Sequence, residues 1–328
     1  MLRGIVLGGF FLLLIQPARA DVAEAVTKHV LPGYAAFANA AAALDQAAAA
    51  DCRAESLRPA YNLAFDAWLG VAHLHLGPVE DEGRSLAIAF WPDPKGLGAK
   101  VQAAMFRSKD PAAADPAAFA EVSVAARGLF GLERLLYPDS PLSDGGYACA
   151  LTRATAHDLA RMAMEVEKAW RGDYAQSLLT AGEAGDTRYL SMTEARQALF
   201  TQLIAGLEFN ADQRLGRPMG TFDKPRPERA EARASGRSLR NLEFSLAALS
   251  NLAETLVPAS PETQAALARA QVLAAGIEDP VFASVTDPGG RLDVEALQQA
   301  VHAARDAALA EIAPALGAGV GFNAGDGD

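Results

Sequence analysis

Glu133 is the residue whose position most invites a chemical explanation. It falls in a run whose apolar residues Phe119, Val122, Ala126, Leu129 and Leu136 recur at helical spacing, so its carboxylate lands on the apolar stripe. A carboxylate placed there is costly unless it is paired, protonated or bound to a metal. Arg84, Arg134 or a cation from a distant loop would make it half of an ion pair; a ligand or metal role is the other reading. Two histidines, His73 and His75, close a second pattern that runs Leu57, Tyr61, Phe65, Trp68, Ala72 and Leu76. On a regular helix, side chains two residues apart diverge by about 200°, so the two imidazoles share an ion only if the helix frays before Gly77. Glu80, Asp81 and Arg84 follow within loop reach of His73, in a Gly- and Pro-rich stretch that also carries Trp91.

A third cluster lies between Gly206 and Asn241. From Arg214 to Arg240 it holds eight basic residues (Arg214, Arg217, Lys224, Arg226, Arg229, Arg233, Arg237, Arg240) against Asp223, Glu228 and Glu231, in a chain whose net charge is -11. A cationic segment in an anionic chain pairs either with the chain's own carboxylates or with an anionic ligand. Arg217, Thr221, Asp223, Arg226 and Arg237 are its candidate ligand-facing residues. Pro218, Pro225 and Pro227 forbid one continuous helix, which predicts a long ordered loop, either a functional one or a clasp between two helical halves.

Several catalytic patterns are missing. The sequence contains no H-E-x-x-H, and none of its histidines at 29, 73, 75, 157 and 302 has a glutamate three residues later. It has no G-x-S-x-G, no Gly-rich phosphate loop and no cysteine nucleophile with a neighbouring base.

The elements that must position these residues read as helical throughout. Alanine is abundant and β-branched residues are sparse. A first helix carries Val26, Val30, Phe37 and Leu44, with a kink expected at Pro32; the Trp68 helix is expected to run to Gly77; the Glu133 helix is expected over about 115–137, and another over about 152–170. Ser191 and Glu194 have the spacing of a capping box, and Ser260-Pro261-Glu262 reads as an N-cap followed by an N1 proline. Residues 1–20 pair an early cation with an apolar core and end in A-x-A, which predicts a secretory signal. The organisation expected is all-α: two packed four-helix-bundle-like domains at 21–180 and 190–328, the second including the basic loop 214–240. In an oxidising compartment the isolated pair Cys52 and Cys149 is expected to form a disulfide. The acidic balance excludes nucleic acid as a partner.

The markers HLHLGPVEDEGR, IAFWPDPKG, GLERLLYP, GRPMGTFDKPRPERAEARASGRSLRN and the terminal GFNAGDGD resemble the imelysin family, the M75 peptidase-like exported proteins tied to iron regulation. The likeness runs over essentially the whole mature chain. It implies two helical domains with a site in the cleft between them, export to the periplasm, and a part in iron or other metal uptake. The family's G-x-H-x-x-E signature, proposed there as metal-binding, aligns with Gly128, Phe130 and Glu133, so phenylalanine stands in place of the histidine. Glu133 carries over, and the metal site as such does not unless His73 supplies the missing nitrogen from the neighbouring helix; the departure weakens the metallopeptidase reading. The reading that follows is a non-enzymatic binding component for a small anionic ligand or chelated metal, iron or another divalent ion, working with other periplasmic or membrane uptake components. A metallopeptidase and a purely structural interaction protein are the alternatives.

Overall fold

The computed structural model describes residues 22–137, 146–185 and 188–317. The expected export signal, residues 138–145 and the terminal GFNAGDGD lie outside the described residues. Among those described, the protein is all-α, and its single extended pairing is a bridge between Thr221 and Lys224. None of these helices is long and apolar enough to cross a membrane.

The chain begins with α1 (Val22–Ala25), a π-helical segment (Val26–Val30) and α2 (Leu31–Ala50), which run on without interruption. Proline at 32 supplies no N–H and crowds the carbonyl four residues back. The strain expected as a kink is taken up by the wider π turn, where the N–H of Leu31 reaches back to the carbonyl of Val26. Helix α3 (Ala54–Leu69) ends well before Gly77, and residues 71–76 form an irregular turn. Gly77 takes φ +69° with its α-carbon against the Tyr174 ring, where an added Cβ would lie 2.5 Å from it.

Next come α4 (Arg84–Ile88), α5 (Leu97–Ser108), α6 (Pro116–Ala120) and α7 (Gly128–Leu136). The single helix expected over 115–137 is thus broken into α6, a 3-10 turn at Val124–Ala126, and α7. Gly128 is the cause: it sits at φ +62°, and a Cβ there would stand 2.2 and 2.3 Å from the carbonyl oxygens of Ala87 and Ile88. Only glycine tolerates that combination, and it starts α7 afresh against the end of α4.

The following helix, α8 (Tyr147–Ala169), does not stop at Trp170 but continues through a second π segment (Trp170–Tyr174) into α9 (Ala175–Leu179). Then α10 (Met192–Glu208) starts as its sequence predicts, with the Glu194 N–H donating to Ser191 Oγ at 3.2 Å and the Leu190 N–H donating to Glu194 Oε2 at 2.7 Å. A third π segment (Phe209–Leu215) carries the helix into the basic stretch as far as α11 (Gly216–Met219). The remaining helices are α12 (Ser238–Leu256), α13 (Pro261–Ala275) and α14 (Pro288–Ala315). Ser260 does not cap α13: its hydroxyl donates to the Val257 carbonyl, and the Glu311 carboxylate of α14 accepts the N–H groups of Glu262 and Thr263 instead.

Helices α2, α3, α7 and α8 pack on one another, and α10, α12, α13 and α14 form a second group. One apolar core nevertheless runs through both, from Leu44, Leu57 and Leu159 to Leu207, Leu246 and Val301. The N-terminal rod bridges the groups, since α1 and its π segment lie against α12. Cys52 and Cys149 form the expected disulfide, with α-carbons 5.5 Å apart, and so tie the start of α3 to the start of α8.

Candidate functional site

A cavity of about 210 Å³ opens where the turn after α3 and the start of α4 face the end of α10 and the third π segment. Its walls are aromatic: Trp68, Trp91, Phe130 and Phe209 line it beside the small side chains of Ala72, Ala89 and Ala205. Trp91 stands edge-on to Phe209, with ring centroids 5.9 Å apart. The polar groups on the wall are His73, His75, Ser85, Arg214, Glu231 and Ser245. Apolar walls with a few convergent polar atoms are the usual make-up of a small-molecule site.

His73 is the deepest of these polar groups. The fraying of α3 turns its imidazole inward, to 5 % exposure, where Nε2 meets Nε2 of His29 at 3.0 Å. His29, held by the first π segment, places Nδ1 2.7 Å from Oδ1 of Asn251 on α12. The Nδ1 atom of His73 has no protein partner. Burial pushes the pKa of both histidines down, that of His73 well below the usual histidine range, with His29, His75 and Arg214 adding to the effect. Both rings are therefore neutral at neutral pH.

Arg214 and Glu231 form a second buried group. Arg214 Nε donates to Glu231 Oε2 at 2.7 Å, Nη1 donates to Asn210 Oδ1 at 2.7 Å and to Ser245 Oγ at 3.0 Å, and Asn241 Nδ2 donates to Glu231 Oε2 at 3.1 Å. The guanidinium also lies over the Phe209 ring, 4.9 Å from its centroid. With its lone pairs and protons satisfied from three segments, this pair presents a fixed dipole to the cavity rather than a free charge.

Of the residues singled out from sequence, His73, His75 and Trp91 line the cavity. Glu133 is buried, as its place on the apolar stripe predicts, but its Oε1 accepts the backbone N–H of Ser235 at 2.9 Å and the Ser235 hydroxyl at 2.6 Å. Burial raises its pKa, and the two Ser235 hydrogen bonds oppose that rise. Arg237 is buried against Asp66 of α3 and donates to Asn62 Oδ1 at 2.7 Å; Arg240 Nε donates to the same Asp66 at 2.9 Å. The basic stretch thus fastens the second helical group to α3 and α7. Arg217 lies 5.7 Å from the centroid of Trp91, just outside the aromatic wall. Thr221 and Asp223 are exposed on a turn, and Arg226 Nη1 lies 3.5 Å from Glu228. Glu80 meets His75 at 3.2 Å, Arg84 pairs with Glu82 and Glu165, and Asp81 is largely exposed, so this acidic turn packs toward α8. Among the described residues, no three His, Cys, Asp or Glu side chains gather closely enough to hold a metal by themselves.

The sequence reading missed Asn251, Ser245 and Phe209; it recorded Arg214 and Glu231 only in the charge count of the basic stretch, and His29 only as a histidine without a glutamate three residues on. His29 and Asn251 are 222 positions apart, and no local pattern links them. One available signal was the place of His29 on the apolar stripe of the first helix, three residues after Val26 and beside Val30, the same kind of anomaly that drew attention to Glu133.

Comparison with known proteins bears on the chain as a whole. The family model described as Imelysin, Peptidase M75, matches residues 30–308. A curated relative, the iron-regulated protein A of Synechococcus elongatus, is 26 % identical over 323 residues, covering 88 % of this chain and 84 % of its own. A solved structure of an imelysin-like protein from Psychrobacter arcticum superposes with a TM-score of 0.75 at 20 % identity, over 94 % of this chain and 100 % of that one. A second solved structure, from Parabacteroides distasonis and described as a candidate iron-regulated protein A precursor, gives 0.69 at 12 % identity, over 91 % and 97 %.

Proposed function

The chain belongs to the imelysin family, and on that footing we propose that it is an exported, periplasmic binding component of iron acquisition that holds chelated iron in the aromatic cavity. One observation carries this reading. The cavity combines stacking surfaces, Trp68 and Trp91, with a single buried imidazole whose second nitrogen has no protein partner. A bare ferrous or ferric ion wants several oxygen or nitrogen donors, and the described residues do not gather such a set. An iron that arrives inside an organic chelate brings most of its ligands with it. It then needs from the protein an apolar enclosure for the chelator.

The metal is cargo in this scheme, and the protein's work is enclosure and selection. The saturated Arg214–Glu231 pair supports it, because a wall with no net charge accepts a compact complex of low charge. Titration of the metal-free protein with ferric citrate, followed by calorimetry and by the fluorescence of Trp68 and Trp91, tests the reading. Saturable heat and quenching are expected with ferric citrate and not with citrate alone, and Trp91→Ala is expected to weaken them. Silence with ferric citrate, or an equal response to citrate without iron, rejects it.

A further inference from the structure

We infer that Arg217 gives the cavity its selectivity: its guanidinium takes a carboxylate of the occupant, so that the site prefers a flat apolar molecule with a negative charge over a neutral one of the same shape. The inference rests on the reading of the cavity as a binding site, and it names the class of organic acid or chelator that fits there.

Most cations of the basic stretch are either engaged within the protein or fully solvated. Arg214 is bound to Glu231, Arg226 lies near Glu228, and Arg237 and Arg240 share Asp66. Lys224, Arg229 and Arg233 stand exposed, where water meets their charge. Arg217 fits neither group. It is half-buried, yet among the described residues it has no carboxylate and no hydrogen-bond acceptor. Its Nε is shut away from water, so the accessible part of the head is the edge formed by Nη1 and Nη2. A guanidinium partly withdrawn from water without a counter-charge costs stability, and costs of this kind are commonly kept where function needs them.

Its position gives the unpaired charge a use. The guanidinium lies 5.7 Å from the centroid of the Trp91 ring, and Trp91 is a wall of the cavity, set edge-on to Phe209. An occupant lying against Trp91 therefore has the open edge of Arg217 within reach, just outside the aromatic wall. Two parallel N–H groups on a planar fork match the two oxygens of a carboxylate, and the neighbouring indole restricts the swing of that fork. The other charged groups on the wall are already matched: Arg214 holds Glu231, and His75 faces Glu80 at 3.2 Å. A neutral aromatic keeps the wall contacts and gains nothing from the guanidinium, while a cation of the same shape is repelled by it.

The experiment uses the full chain and no metal. Calorimetric titration with 2-naphthoate and with its uncharged amide, 2-naphthamide, is expected to show tighter binding of the carboxylate by roughly tenfold or more, the scale of charge-assisted hydrogen bonds. Arg217→Gln is expected to remove that preference and to leave binding of the amide unchanged. Arg217→Lys, which keeps the charge but not the fork, is expected to keep part of it. Thermal unfolding separates a residue that reads a ligand from a clasp: Arg217→Gln is expected to stay near the wild-type midpoint, whereas Arg237→Ala falls well below it. A fall as large as that of Arg237→Ala overturns the inference. So does a wild type that takes up 2-naphthoate no better than 2-naphthamide, or a carboxylate preference that survives Arg217→Gln; saturable binding of the amide in either case leaves the cavity reading in place. Uptake of 2-naphthoate that depends on Arg217, together with silence toward ferric citrate, supports the inference and counts against iron as the cargo.

Discussion

Glu133 and His73 show how the same cost, a polar group away from water, is met in two ways. Glu133 receives two hydrogen bonds from Ser235, both to Oε1. Hydrogen bonds to a charged acceptor contribute about 1.5–3 kcal/mol when buried. Ser235→Ala is therefore expected to lower unfolding free energy in urea by roughly that amount, while ferric citrate binding stays unchanged. His73 meets the cost by staying neutral. Because burial holds the folded pKa of His29 and His73 below the ordinary value of 6.5, the unfolded chain binds more protons than the folded one as pH falls through 6.5. Stability is thus expected to decline on that acid side, and thermal unfolding between about pH 7.5 and 5.5 should show a shallower slope in His73→Leu than in wild type. Glu133 acts in the opposite sense, since a raised carboxyl pKa makes stability fall as pH rises through that value. Its burial was legible from the spacing of its neighbours. Its partner was not, because Ser235 is 102 residues away and lies in a loop without periodicity.

At the scale of elements, three π segments mark where sequence periodicity stopped being a guide. Helical spacing identified the buried stripe of α3 and the Ser191–Glu194 spacing marked the start of α10, but the stripe read in the sequence carried α3 on to Gly77 where the helix ends at Leu69. Helical spacing also overran at Gly128, where a contact with the carbonyls of Ala87 and Ile88 breaks the predicted helix, and such a contact leaves no local signature. Gly128→Ala is expected to destabilise the fold by more than the ~1 kcal/mol of an ordinary glycine exchange, as read from the urea midpoint. The basic loop could be read in outline only. Its charge excess and its prolines predicted an ordered segment, while the choice between ligand and clasp depended on where Asp66 and Glu133 lie. With Arg237 buried against Asp66, Arg237→Ala leaves a carboxylate uncompensated except by half-exposed Arg240, and a loss of about 3–5 kcal/mol is expected in denaturant unfolding.

For the whole molecule, the all-α class and the cysteine bridge followed from composition and compartment, whereas the run of one core through both helical groups did not. The disulfide closes a long span, with 97 positions separating its ends. Cys52→Ser with Cys149→Ser is expected to cost about 2–5 kcal/mol, measured as a lowered unfolding midpoint that reducing agent reproduces in the wild type. The bridging of the two groups by the N-terminal rod has a consequence for the order of events in biosynthesis. His29 is made among the first residues of the described part and Asn251 in the last third of the sequence, yet the two must meet to close the buried chain of contacts from Asn251 through His29 to His73. A fragment that stops before α12 therefore lacks the Asn251 that holds His29, and it is expected to give no saturable heat with ferric citrate, however well its earlier helices form.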